Sequence, residues 1–154
     1  MESKLFRRIG FCTDFSENAD QAFVVARDMA EKFGASLEII HITVSLVHSP
    51  PVHATYMPVE YDPEFVEEVS RAAMKSIEER YVSRLPEAML HNVSVVSGYA
   101  ATEILRIAEE KGLDLLVMGS HGLTGLAHVL FGSTAERVVR KAGCSILTVR
   151  QKKS

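Results

Sequence analysis

The chain of 154 residues has only two cysteines, Cys12 and Cys144, each inside an apolar segment and not arranged as CxxC. That scarcity argues against a disulfide framework or a zinc site and fits a reducing cytoplasm. Charge of one sign is also scarce: Lys plus Arg total 17 against 20 acids, a formal net charge of −3. No surface for nucleic acid or an anionic membrane is expected, and Lys152-Lys153 in the short tail 151–154 reads as solvated. The first residues, Met1 to Leu5, lack the apolar core of a signal peptide. The run Leu115 to Gly132 is long enough to resemble a membrane span. Glycines at 119, 122, 125 and 132, with Ser120, His121, Thr124 and His128, argue against that reading.

Three nucleotide or hydrolase signatures are missing as well. The segment after the first β-rich run, Cys12-Thr13-Asp14-Phe15-Ser16, contains no glycine, so the GxGxxG turn of a dinucleotide-binding domain is absent from its usual place. No GxxxxGK[ST] occurs, and Phe131-Gly132-Ser133 lacks the lysine that grips phosphate. Gly119-Ser120-His121-Gly122 is preceded by Met118 where a nucleophile elbow, GxSxG, needs glycine.

What is present is an alternation of β-rich runs with helical periods, 47% hydrophobic overall. Strands are expected at Leu5–Thr13, Leu37–Val44, Asn92–Ser97, Leu113–Met118 and Cys144–Val149. The first helix shows Ala22, Ala26, Met29, Ala30 and Phe33 on one face, with Asp14 or Ser16 as its N-cap and Gly34 as its stop. Asp62-Pro63 opens a second, along which Val69, Ala73, Ile77, Tyr81 and Leu85 step by four until Pro86. Ala101–Lys111 forms a third, closed by Gly112. Ser133–Ala142 forms a fourth, with Val138, Val139 and Ala142 inward and Gly143 at its end. With no internal repeat or linker, the expectation is one domain over 1–154: an open, doubly wound five-stranded parallel sheet with helices on both faces. Ligands in such sheets sit beyond the C-terminal strand ends, where strand order reverses. The segments after strands one and four are therefore the expected site, and amides gathered by glycines at a strand-to-helix junction suit phosphate.

Gly119-x2-Gly122-x9-Gly132-Ser133 after an apolar strand ending in Met118, with Thr13-Asp14-Phe15-Ser16 near the start and His41-Ile42 ending strand two, resembles the ATP-binding branch of the universal stress protein family. The resemblance covers essentially the whole chain. It implies a five-stranded α/β fold, a homodimer through the last strand, 144–150, and a nucleotide-dependent regulatory module in the cytoplasmic stress response with an unidentified protein partner. By position, it puts Cys12, Thr13 and Asp14 near adenine and ribose, with Ile42 and Met118 against the base. Gly119 then approaches ribose, Ser120, His121 and Gly122 line the phosphate path, and Gly132, Ser133 and Thr134 cradle the phosphates. Gly98, at the end of strand three, opens the rim. The implied ligand is ATP, with ADP or AMP as alternative occupants, and magnesium or manganese carried by the nucleotide without protein ligands. The alternative reading is a slow ATPase or autophosphorylating enzyme in the same cavity, with Ser120, Ser133 or Thr134 as acceptor and His121 as proton carrier.

Plainer readings of the same residues stand beside these. Ser133 and Glu136 fit a capping box, Asp14 fits a helix cap, and the glycines fit a tight loop needing positive φ. His41 and His128 read as structural, Gly125 as a turn residue and Cys144 as a buried hydrophobe. Residues 45–62, with Pro50, Pro51, Pro58, Tyr56, Met57 and Tyr61, form a connection long enough to be a lid or partner-contact loop.

Overall fold

The fold is taken from a computed structural model, which describes residues 5–44, 62–122 and 131–151. The expectations for the 45–61 connection, Gly125, His128 and the tail beyond Gln151 lie outside those residues.

Five parallel strands form one sheet: β1 (Arg8–Cys12), β2 (Ser36–Val44), β3 (His91–Gly98), β4 (Leu115–Gly119) and β5 (Ser145–Val149), in the order β3-β2-β1-β4-β5. Chain order runs outward to one side through β2 and β3, then returns to the other side of β1 with β4. The reversal therefore falls between β1 and β4, whose ends at Cys12 and Met118 are paired in register. Alternation along the strands sorts side chains into two cores. Ile9, Phe11, Leu37, Ile39, Leu115 and Val117 pack with α1 (Glu17–Phe33) and α2 (Pro63–Arg80), through Ala22, Phe23, Ala26 and Ile77. Cys12, Ile40, Leu116 and Met118 pack on the other face with α3 (Ala100–Glu110) and α4 (Ser133–Lys141), through Ile104, Ile107, Ala135 and Val138.

Helix ends follow local chemistry. Ser16, not Asp14, caps α1, its hydroxyl accepting from the Ala19 N–H at 3.2 Å, and Gly34 closes the helix in the left-handed conformation at φ 60°. Asp62 caps α2 and Pro63 takes its first position, as expected. Four expectations need correction. The first strand starts at Arg8 rather than Leu5, where its partners Ser36 and Leu115 become available, and Leu5 is exposed. The second helix ends at Arg80, and a 3₁₀ turn over Val82–Arg84 leads on toward Pro86. A four-residue step drifts about 40° per repeat on a helix of 3.6 residues per turn, so Ala73, Ile77 and Tyr81 face the sheet while Val69 rotates outward. Val139 is 46% exposed because Val138 takes the inward position. Ala142, in extended conformation, closes α4 in place of Gly143.

Candidate functional site

At the C-terminal ends of β1 and β4, on the α3/α4 side of the sheet, lies a cavity of about 300 Å³. This is near the lower end of the range of small-molecule sites, roughly 300–1,000 Å³. The cavity brings together every residue the sequence nominated except Gly98. Cys12, Thr13 and Asp14 come from the end of β1, Ile42 from β2 and Met118 from β4. Gly119, Ser120, His121 and Gly122 supply the loop after β4, and Gly132, Ser133 and Thr134 the start of α4. Gly98 pairs with Val44 at the far edge of the sheet and is not among the lining residues. Its missing side chain instead leaves room for Glu103, whose Cγ would lie 2.8 Å from a Cβ there.

One end of the cavity is apolar. Ile40, Ile42, Met118, Cys12 and Ile104 line it together with Ala100. Ile40, Ala100 and Ile104 were not anticipated; the alternation that places Ile42 on this face puts Ile40 there too, so that much was readable. Burial pushes the Cys12 thiol from its ordinary 9.0 up to about 12, so this residue is a neutral apolar wall and not a nucleophile. The same effect raises the phenol of fully buried Tyr81 from 10.0 to about 12. Both protons stay on in the folded protein while the unfolded chain releases them, so the stability these groups contribute is whole below pH 9 and lost as pH climbs toward 12. The thermal midpoint is expected to fall over that window, and less steeply in Cys12→Ala; identical slopes would contradict the assignment.

The other end is built from backbone. The Ser120 carbonyl accepts from the Gly132 N–H at 2.8 Å, which joins the two glycine segments, while the Ser120 N–H donates to Val149 O at 2.9 Å and fixes the loop to β5. Ser120 Oγ lies 3.0 Å from His121 Nδ1, and Asn18 Nδ2 donates to His121 O at 3.1 Å. None of Gly119, Gly122 and Gly132 has positive φ, so the tight-turn reading of these glycines is corrected. Space is what two of them provide. A Cβ at Gly122 would overlap Asp14 Oδ2, and one at Gly119 would press on Asn18 at 3.0 Å. At Gly132 a Cβ would find ordinary van der Waals room, 3.6 Å from His121 Cα and 3.7 Å from the Gly122 nitrogen.

The capping box at Ser133 does not form. Gly132 is the N-cap, its carbonyl accepting from the Glu136 N–H at 2.9 Å, and the described residues place no side-chain cap on this helix. Ser133 is therefore already the first helical residue, and Glu136 pairs with Arg140 at 2.9 Å. The first-turn amides of α4, with the Ser133 and Thr134 side chains, stand at the cavity with the positive end of the helix dipole. Asp14 faces them from β1, with Oδ1 accepting from the Ser16 N–H at 3.0 Å. No lysine or arginine lines the cavity among the described residues. Nor do those residues hold a cluster of three or more His, Cys, Asp or Glu side chains fit for a metal. Among them, no helix is long and apolar enough to cross a membrane.

An apolar slot joined to a cradle of main-chain donors fits a flat, uncharged ring carrying an anionic tail. Known proteins share this sequence and this shape. The universal stress protein MJ0531 of Methanocaldococcus jannaschii is 33% identical over 97% of this chain and 85% of its own. The solved structure of MJ0577, from the same organism, superposes with a TM-score of 0.73 at 25% identity, covering 97% of this chain and 99% of that one. Two further structures share the fold. A universal stress protein in complex with cAMP gives a TM-score of 0.60 at 23% identity, covering 94% of this chain and 97% of its own. The universal stress protein of Archaeoglobus fulgidus in complex with dAMP gives 0.59 at 16%, covering 94% and 98%. Residues 5–150 match the universal stress protein family, and the chain belongs to that family.

Proposed function

We propose that this protein is an adenine-nucleotide-binding regulatory module, with ATP as the occupant and magnesium or manganese carried on its phosphates. The observation that carries the reading is the convergence on one cavity of an apolar slot, the Asp14 carboxylate and the uncapped first turn of α4. Ile42 and Met118 suit the faces of adenine, and Asp14 suits a sugar hydroxyl or the adenine amino group as acceptor. Gly119, Ser120, His121 and Gly122 lead along the phosphate path to Gly132, Ser133 and Thr134. Complexes of two family members with cAMP and dAMP support the adenine class. A metal held by the nucleotide accords with a donor set of amides and hydroxyls.

Among the described residues β5 is an edge strand, paired only with β4, and residues 144–150 offer that edge to a second copy of the chain as a homodimer. Two free thiols accord with a cytoplasmic setting. Occupancy then sets affinity for a further protein partner in the stress response. The hydrogen bond between Ser120 and His121 favours a second reading, slow hydrolysis or autophosphorylation in the same cavity. Turnover above background that is lost in His121→Ala would replace the binding reading with this one.

Calorimetric titration of nucleotide-stripped protein with Mg-ATP, and with Mg-GTP as control, is the test. Saturation near one ATP per chain with much weaker GTP binding is expected. No heat and no competition at millimolar ATP would leave the protein as a scaffold.

A further inference from the structure

On the face of the sheet away from the cavity, directly behind Asp14, a polar network joins the β1 turn to α1 and α2. The Tyr81 hydroxyl donates to Asp20 Oδ1 at 2.8 Å and lies 2.8 Å from Thr13 Oγ1. A phenol has one proton, so with that O–H directed at the Asp20 carboxylate the Thr13 hydroxyl is the donor to Tyr81. Thr13 Oγ1 in turn accepts from the Phe15 N–H at 3.0 Å. Arg80 closes the circuit, donating to Asp20 at 2.7 Å and to the Phe15 carbonyl at 3.2 Å. The carbonyl of Phe15 is thereby held by the last residue of α2, and its N–H, through Thr13, by Tyr81.

Phe15 is the non-glycine residue with positive φ among the described residues, at 63°. Such a conformation persists only where its surroundings over-determine it. Here the ring packs between His41, with centroids 4.5 Å apart, and a parallel Tyr81 ring at 6.3 Å, under the Arg80 guanidinium at 5.4 Å. The turn this produces is what leaves Asp14 on the cavity side with its Oδ1 on the Ser16 N–H.

We infer that Arg80, the last residue of α2, and Tyr81, just past it, are positioning residues for the nucleotide site, holding Phe15 left-handed so that Asp14 is aimed at the ligand. The inference rests on the nucleotide-binding reading and makes α2 a structural partner of the cavity. Sequence reading assigned Tyr81 only to a buried helical stripe.

The test is a double-mutant cycle on Mg-ATP affinity, paired with amide exchange of the nucleotide-free protein. Tyr81→Phe keeps the ring and removes only the hydroxyl; Arg80→Met releases the Phe15 carbonyl and serves as the second variant. Each is expected to weaken ATP binding roughly fivefold to tenfold, the scale of a lost buried hydrogen bond. In an Asp14→Ala background neither should weaken it further. Exchange at the Phe15 and Ser16 amides should quicken in both, with and without the Asp14 carboxylate for Phe15. Unchanged exchange at these amides overturns the inference, as does an equal loss of affinity in both backgrounds. Failure of the wild-type protein to bind ATP would instead refute the nucleotide reading, and amide exchange would still decide whether α2 holds the turn.

Discussion

Gly122→Val lowers affinity for Mg-ATP by about 100-fold or more, equivalent to about 2.7 kcal/mol, while the protein folds as before. The expectation follows from where the new side chain must go. The Cβ of any residue at 122 enters the space of Asp14 Oδ2, and the carboxylate must swing away, giving up the Ser16 amide that orients it. The two branches of valine then stand between Asp14 and the start of α4, where the ligand would lie. Gly122 is exposed and has no positive φ, so the backbone tolerates the change. Calorimetry alongside circular dichroism checks both halves; wild-type affinity in a well-folded variant would sink the placement of the site.

Phe11→Ala is the most damaging single change expected in the core, lowering stability by about 3–5 kcal/mol. Phe11 has no exposed surface and stands on β1 beneath the turn that carries Asp14. Its ring meets Phe23 of α1 at 5.5 Å and Tyr81, just past α2, at 5.1 Å. Removing it opens a gap that three elements border, none of which can close it alone. Against a total of about 5–15 kcal/mol for an ordinary domain, that loss leaves a marginal protein. Urea denaturation should show a lower midpoint with an unchanged slope. A loss below about 1 kcal/mol would mean that the helices collapse onto the strand and that this face is softer than its packing suggests.

The strands, the helix order and the switch between β1 and β4 were legible because each rests on a local signal. Two-residue alternation separates Phe11 from Cys12, and glycine at 34 and proline at 63 punctuate helices by their own backbone preferences. The lining of the cavity was legible for the same reason, since most of it comes from three short segments, 12–14, 118–122 and 132–134, that topology brings side by side. What escaped depended on geometry that accumulates or on partners far along the chain. The four-residue repeat carried the second helix on to Leu85, whereas α2 ends at Arg80 and only a 3₁₀ turn over Val82–Arg84 follows. Ser133 looked like a cap until the helix proved to begin one residue sooner. The network through Tyr81, Asp20 and Arg80 spans some 60 residues between partners, and no motif joins them. Gly98 was nominated because it ends a strand, but β3 is at the sheet edge, away from the reversal.

The end of this cavity at the start of α4 presents main-chain amides, small hydroxyls and His121, and among the described residues no lysine or arginine lines it. Only a change to proline deletes a main-chain donor, so drift otherwise spoils such donors by filling the space in front of them. Descendants of such a site are free to rewrite nearly every side chain around it while they keep position 122 empty. Recognition is then inherited as a vacancy, which gives a physical reason for a shape to persist while the sequences that carry it diverge.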